Sequence, residues 1–348
     1  MKLLRSLLFP FAIIYDLVTT IRNFLFEINF FKQKKFSIPV IVIGNLSVGG
    51  TGKTPQIEYL IRLLKNRFQM AVLSRGYKRK TKGFLKVSKS HLVNEVGDEP
   101  LQFAKKFPDV LVAVDEQRVS GIQQILMHSK TDVVLLDDAF QHRKVNGSFY
   151  LLLTKFNELF LDDFLIPTGN LRESSRGAQR ANAIIITKCP DNLNENQQNL
   201  IKNKLKKYQK PIFFTTISYA KTLKGFSRIL LTDLPNFEVL LVTGIANPSS
   251  LIQFLNQKNI IFHHLNFPDH HNFSNKDIEL IKSKYENLKS LKKLILTTEK
   301  DFVRLSNDIN SIYYLEIETT FLGNQKEDFD NLIINHIDQF SKNSCIEI

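Results

Sequence analysis

The sequence predicts an α/β fold: a P-loop NTPase-like, mostly parallel sheet flanked by helices, with a second, smaller α/β domain and an N-terminal amphipathic helix. Three observations predict it. Short apolar runs alternate with helix-period segments along the chain, as strands buried on both faces of a parallel sheet do. Ile38 to Pro55 reads as strand, glycine-rich turn and helix start, and Asp132 to Asp138 reads as an apolar strand ending in adjacent aspartates. At 348 residues the chain is long enough for two such domains.

In chain order, residues 1–35 come first. Leu3, Leu4, Leu7, Leu8, Phe11, Ile14, Tyr15, Leu17 and Val18, then Ile21, Phe24, Leu25 and Ile28, recur at near-helical spacing, with Lys2, Arg5, Arg22, Lys32, Lys34 and Lys35 on the flanks and polar face. The uncharged run Ser6 to Tyr15 is too short to span a bilayer, and no small-residue cleavage site follows it. A helix lying in a membrane interface is expected; an amphipathic helix packed only on its own core is the alternative.

Val40 to Ile43 is the first buried strand. Ser47, Val48, Gly49, Gly50, Thr51, Gly52, Lys53 and Thr54 follow, then the helix Ile57 to Leu64. Such a loop turns successive backbone N–H groups toward an anion at a helix N-terminus. Lys53 is placed to reach phosphates and the Thr54 hydroxyl to meet Mg²⁺. The usual pattern wants Gly at position 47; here it is Ser47, with Gly44 upstream. Met70 to Leu73 is a second strand, ending in the basic turn Ser74 to Lys82, at the strand end where open α/β sheets bind ligands. Asp98 and Glu99 open the helix Leu101 to Lys106, and are also simply good first-turn carboxylates. Val110 to Val114 is a strand, followed by Asp115 to Arg118 and a helix through Ile125.

The strand ending in Asp137 and Asp138 is a Walker-B arrangement, which holds Mg²⁺ beside a P-loop. Further strands are Tyr150 to Thr154, Ala183 to Thr187 and Phe213 to Ser218, with an Arg-rich loop around Arg172, Arg176 and Arg180 and a polar helix in 191–210. Lys221 to Gly225 reads as a linker. Beyond it come strands Val239 to Val242, Ile260 to Leu265, Leu294 to Thr297 and Ile312 to Ile317, with helices from Ser249, over Asp277 to Lys284 and over Lys326 to Ile337. The expected division is a membrane-contacting helix in 1–35, a P-loop core domain in 36–222 and a smaller α/β domain in 223–348.

Lys and Arg exceed Asp and Glu by 47 to 34, a formal charge of +13, which favours polyanionic partners: nucleic acid, an anionic membrane surface or phosphorylated substrates. Two distant cysteines, Cys189 and Cys345, without metal-ligand spacing, point to a reducing compartment and no disulfide framework.

A P-loop with a Walker-B strand serves a switch NTPase or a kinase. A kinase also needs a base near the acceptor hydroxyl; Asp98 and His270, in the Asp-His-His turn, are the candidates. Thr298 to Asp301 is only faintly like a guanine-reading loop, since Glu299 stands where Asn would be and Asp301 comes one residue too soon. A membrane P-loop GTPase or ATPase is the alternative reading, and a basic scaffold or nucleic-acid binder with a vestigial P-loop a more distant one.

Val48 to Pro55, Leu73 to Tyr77, Val96 to Pro100, Asp137 to His142, Gly169 to Glu173, Phe267 to His270 and Thr298 to Asp301 occur in this order. Together they resemble the tetraacyldisaccharide 4′-kinase family of lipid A biosynthesis, whose P-loops also carry Ser or Thr before Val-Gly-Gly. The resemblance implies ATP-dependent phosphorylation of the 4′-hydroxyl of an acylated glucosamine disaccharide 1-phosphate. It makes Asp98 the base, His270 its partner, Lys53 the phosphate holder, and Thr54, Asp138 and Asp137 the Mg²⁺ ligands. Arg172 and Arg118 would neutralise phosphate, and Arg75, Asn170, Glu173 and His142 would contact substrate; His271 takes no role. It further implies a peripheral or monotopic protein at the cytoplasmic, anionic face of a Gram-negative inner membrane, with neither nucleic acid nor an obligate protein partner.

Overall fold

A computed structural model describes residues 5, 7–306, 308–309 and 311–344. Of the residues invoked above, Lys2, Leu3, Leu4, Ser6 and Cys345 lie outside that set. The first helix, α1 (Phe9–Glu27), has Pro10 in its first turn, where a missing N–H costs nothing. Then follow β1 (Val40–Asn45), α2 (Lys53–Leu64), β2 (Met70–Ser74), β3 (Leu85–Lys86), a short α3 (Val93–Val96), α4 (Asp98–Lys106), β4 (Leu111–Val114), α5 (Arg118–His128), β5 (Val133–Leu136), β6 (Phe149–Lys155), β7 (Ala183–Thr187), α6 (Glu195–Leu205) and β8 (Ile212–Gly225). The rest of the chain adds β9 (Ile229–Leu230), β10 (Glu238–Thr243), α7 (Ser249–Gln257), β11 (Phe262–Asn266), α8 (Asn275–Glu286), β12 (Lys293–Thr298), α9 (Glu299–Leu305), β13 (Ile312–Phe321) and α10 (Gln325–Ser344).

Among the described residues the strands form one mostly parallel sheet, ordered β11-β10-β12-β13-β8-β7-β6-β1-β5-β2-β4-β3, with β9 on β8. The P-loop strand β1 lies between β6 and the Walker-B strand β5, all three in parallel register. Every residue of β1 is buried, which is why its sequence is a continuous apolar run rather than an alternation.

β8 joins the two halves. Its start, Ile212 to Phe214, runs parallel to β7, whereas Thr215 to Gly225 runs antiparallel to β13. Residues 221–225 are therefore strand, not the linker their Lys and Gly content announced. Leu223 is fully buried and pairs with Ile229, while Lys221 faces solvent. The C-terminal helix departs from the expected division too. Phe329, Ile333 and Ile337 of α10 are fully buried in the same core as β1 and α2, and the Phe329 ring packs on Tyr59, Phe213 and Phe321.

α1 is mostly bare. Phe11, Ile13, Ile14, Leu17, Val18, Ile21 and Phe24 are exposed, while Ala12, Thr19 and Phe26 face the protein. By length and composition α1 as a whole is long and apolar enough to cross a membrane, although its uncharged run is short and Asp16, Arg22 and Glu27 lie within it.

Candidate active site

The phosphate cradle is built where β1 gives way to α2. Gly49 and Gly52 adopt left-handed backbone (φ 100° and 85°), which turns the loop around an anion-sized space; a Cβ at Gly49 or Gly50 would meet nothing. The loop is fastened from behind. Ser47 bridges to Leu171, the Val48 N–H donates to the Asn170 carbonyl (2.8 Å), and the Thr187 hydroxyl donates to the Thr51 carbonyl (2.8 Å). The Thr51 hydroxyl is buried without a protein partner. An open glycine cradle with an orphaned hydroxyl fits a polyphosphate. Lys53, at the start of α2, lies 3.2 Å from Asn45 Oδ1 and 3.5 Å from Asp138 Oδ1, with Thr54 half-buried beside it.

Asp137 and Asp138 follow β5. Asp137 accepts a hydrogen bond from the Ser74 hydroxyl (2.6 Å); burial, and then the charge of Asp138, push its carboxyl up to about 6. Burial acts the same way on Asp138, but Lys53 and Arg172, the latter 3.0 Å away, outweigh it and hold that carboxyl below its ordinary value. Two carboxylates and the Thr54 hydroxyl are hard oxygen donors, and the burial and the neighbouring Asp138 charge that push Asp137 up are both penalties on an anion that a divalent cation would offset. The residues fit Mg²⁺.

The candidate base sits at the first position of α4, whose macrodipole favours an anion there. Asp98 is buried, yet His270 Nδ1 lies 2.9 Å from its Oδ2, Arg304 Nε donates to its Oδ1 (2.8 Å), and Arg304 Nη2 also reaches Oδ2. Burial alone would raise the carboxyl. The bonds from His270 and Arg304, with the charges of Arg304 and Lys300, reverse that and hold it well below the usual carboxylate range. His270, itself left-handed (φ 57°), is fixed by its N–H to the Gly244 carbonyl (3.1 Å), by the Tyr77 ring at 5.6 Å, and by Lys300 Nζ, 3.0 Å from Nε2.

The two centres are neighbours. Ser74, bonded to Asp137, begins the basic turn, and Gly76 packs on Gly97, where a Cβ on Gly97 would come within 3.2 Å of the Gly76 backbone. Glu99 lies close enough for its charge to be felt at Asp137. The aspartates after β5 and the start of α4 therefore lie on adjoining elements.

Other expected residues take varied places. Arg172 faces Asp138, and Asn170 holds the P-loop through its carbonyl. Arg75 is exposed at the cleft. Arg118 is buried behind Asp137, donating to the Asp115 and Asp137 carbonyls (2.7 and 3.4 Å), and burial lowers its guanidinium to about 10. Glu173 is buried against Arg180 (2.8 Å), and burial with nearby cations lowers half-buried His142 to about 4. Sequence reading missed Asn45, Ser74, Lys300 and Arg304 as site residues. Lys300 lies inside the recognised Thr298 to Asp301 motif, and Arg304 lies one helical turn beyond it in α9; that spacing was the available signal.

A family model described as tetraacyldisaccharide-1-P 4′-kinase matches residues 4–338. The chain belongs to that family. Tetraacyldisaccharide 4′-kinase of Flavobacterium psychrophilum is 50% identical over 99% of this chain and all of the relative. That of Bacteroides thetaiotaomicron is 43% identical over 97% and 94%. A crystal structure of the "apo" form of LpxK from Aquifex aeolicus in complex with ATP is 32% identical, with a TM-score of 0.78 over 96% of this chain and 99% of that one. The chain is accordingly an enzyme, a kinase of the lipid A pathway.

In this tetraacyldisaccharide 4′-kinase family member α1 docks on the loops of the site by its polar face. Tyr15 donates to the Arg172 carbonyl (2.8 Å), Arg22 to the Gln141 carbonyl (2.8 Å) and Asn23 to Glu173 (2.9 Å); Arg5 reaches Asn170 (3.1 Å). The bare apolar face thus lies one residue away from side chains that line the cleft.

Proposed function

We propose that the protein transfers the γ-phosphoryl group of ATP to the 4′-hydroxyl of an acylated glucosamine disaccharide 1-phosphate, at the cytoplasmic face of a Gram-negative inner membrane. The single observation carrying this reading is the Asp98–His270 pair, 2.9 Å apart. The 4′-oxygen forms its bond to the γ-phosphorus as the bridge to ADP breaks, and the hydroxyl proton passes to Asp98. A strongly stabilised carboxylate suffices for this. In a loose transition state the hydroxyl becomes acidic only as its bond to phosphorus forms, so the base acts late. Lys53 and the loop N–H groups hold the phosphates, and Arg172 neutralises charge on them. Thr54, Asp137 and Asp138 would hold Mg²⁺, which supplies charge neutralisation between the phosphates when bound.

The stretch from β10 to α9 brings His270, Lys300 and Arg304 to Asp98, while α10 returns to the core of β1 and α2. The exposed face of α1 rests in anionic lipid, the charge of +13 favouring that surface. The packing of Glu173 on Arg180 makes it a support for the loop rather than a substrate contact. Phosphate transfer from ATP to tetraacyldisaccharide 1-phosphate in detergent micelles tests the reading. Mg²⁺-dependent formation of the bis-phosphorylated lipid is expected; hydrolysis of ATP or GTP with no lipid product would favour a switch enzyme instead.

A further inference from the structure

We infer that Lys300 and Arg304 are positioning residues for the base: Arg304 orients the Asp98 carboxylate through both oxygens, and Lys300 fixes which nitrogen of His270 bears the proton. This rests on the reading of Asp98 as base.

Arg304 is buried, with 6% of its side chain exposed, and anchored on several sides. Its Nη1 lies 3.4 Å from the His271 carbonyl and 3.5 Å from Asp301, which in turn accepts from the Gly244 N–H and the Thr298 hydroxyl (2.8 Å each). A carboxylate has about four acceptor positions. Arg304 takes one on each oxygen and His270 takes the second on Oδ2. Among the described residues nothing takes the second position on Oδ1, so that atom is left for the substrate hydroxyl.

Lys300 settles the histidine. An ammonium has no lone pair and must donate; its Nζ lies 3.0 Å from Nε2, so Nε2 is bare and the ring proton sits on Nδ1, facing Asp98. Arg304 Nη2 lies 3.2 Å from that same Nδ1, the separation of two donors sharing Oδ2. Lys300 is held by Glu99 (3.5 Å) and Asp269 (3.9 Å). Asp269 also lies 3.9 Å from His270 Nε2, farther than Lys300; with Asp301, these are the charged groups around the pair among the described residues. Two cations on one short helix therefore do what a single orienting partner does in simpler acid–base pairs.

The test uses full-length protein in micelles with the acylated disaccharide 1-phosphate and Mg·ATP, following kcat and KM from pH 6 to 9 for wild type, Arg304→Gln, Arg304→Lys, Lys300→Met and Asp98→Asn. Arg304→Gln is expected to lose about tenfold or more in kcat near pH 7, within the usual worth of a positioned acid–base group. It should regain part of this as pH rises, because its acid limb moves upward, while KM for ATP changes less than about twofold. Arg304→Lys should restore the pH profile but only part of kcat. Lys300→Met should replace the single Nδ1–H pattern in the ¹⁵N spectrum of His270 with a tautomer mixture.

An equal loss at every pH for Arg304→Gln, or a His270 spectrum unchanged by Lys300→Met, would overturn the proposal. The spectrum decides even if Arg304→Gln does not fold. If Asp98→Asn stays active, the base reading itself falls; if Asp98→Asn is dead while Arg304→Gln behaves as wild type, only the present inference falls.

Discussion

The two ends of α4 carry two charge clusters that are similarly buried and oppositely tuned. At the first residue, Asp98 meets His270, Arg304 and Lys300. At the last, Lys106 sits among three carboxylates: Glu58 at 2.7 Å, Glu299 at 2.9 Å and Glu316 at 3.3 Å. Where cations outnumber the acid, the carboxyl is held low despite burial. Where acids crowd one ammonium, burial and the neighbouring Glu58 push Glu299 up to about 8, and the carboxylates hold Lys106 charged against its own desolvation. Burial is common to both; the local balance of partners sets the sign. α9 touches both clusters, with Glu299 at one end and Arg304 at the other, so it lies antiparallel to α4 and is pinned to it twice.

Breaking the acid-rich cluster should have the largest effect. Lys106→Met leaves three carboxylates without their central cation and should cost about 3–5 kcal/mol of stability, the usual loss when one partner of a buried ion pair is removed; urea unfolding monitored by circular dichroism measures it. Next is the cation-rich end. Asp98→Asn should lower kcat at least about a hundredfold with ATP affinity nearly unchanged and melting temperature reduced, because buried Arg304 loses its carboxylate, as steady-state transfer assays, nucleotide titrations and thermal melts would register. An unchanged kcat would remove Asp98 from the chemistry.

The smallest expected effect sharpens the contrast in sign. Glu299 binds its proton more tightly folded than unfolded, so its contribution falls as pH rises from its ordinary value of 4.5 through about 8. Asp98 does the reverse: its contribution is fully present above the ordinary carboxylate range and is lost as pH falls toward its depressed native value. Glu299→Gln should therefore lose less melting temperature than wild type between pH 6 and pH 9, by a few degrees. A parallel decline in the two proteins would mean Glu299 is ionised throughout.

How much of this the sequence disclosed depended on range. The P-loop, the Walker-B strand and the buried strands are local patterns, and they were legible because glycine placement, apolar runs and strand-end aspartates act over a few residues. β8 was misread at 221–225 because its last residues are decided by pairing with Tyr313 to Leu315 of β13, far along the chain, and not by its own Lys and Gly content. Arg304 lies 206 residues from Asp98, and nothing near either one states that they meet. Glu173 came from a motif and Arg118 from the family resemblance, neither of which states how deeply a side chain is buried; that is a property of the fold.

The seat of α10 has a consequence for how the protein is made. Phe329, Ile333 and Ile337 complete the core of the P-loop strand, yet they are made after every strand of the sheet. A nascent chain can form the β1–α2 cradle early, but it must wait through the whole second half with Tyr59 and Phe213 uncovered. The P-loop half is closed by α10, so a chain that stops short of α10 should emerge as a chaperone client with an unfinished core rather than as a kinase lacking one helix.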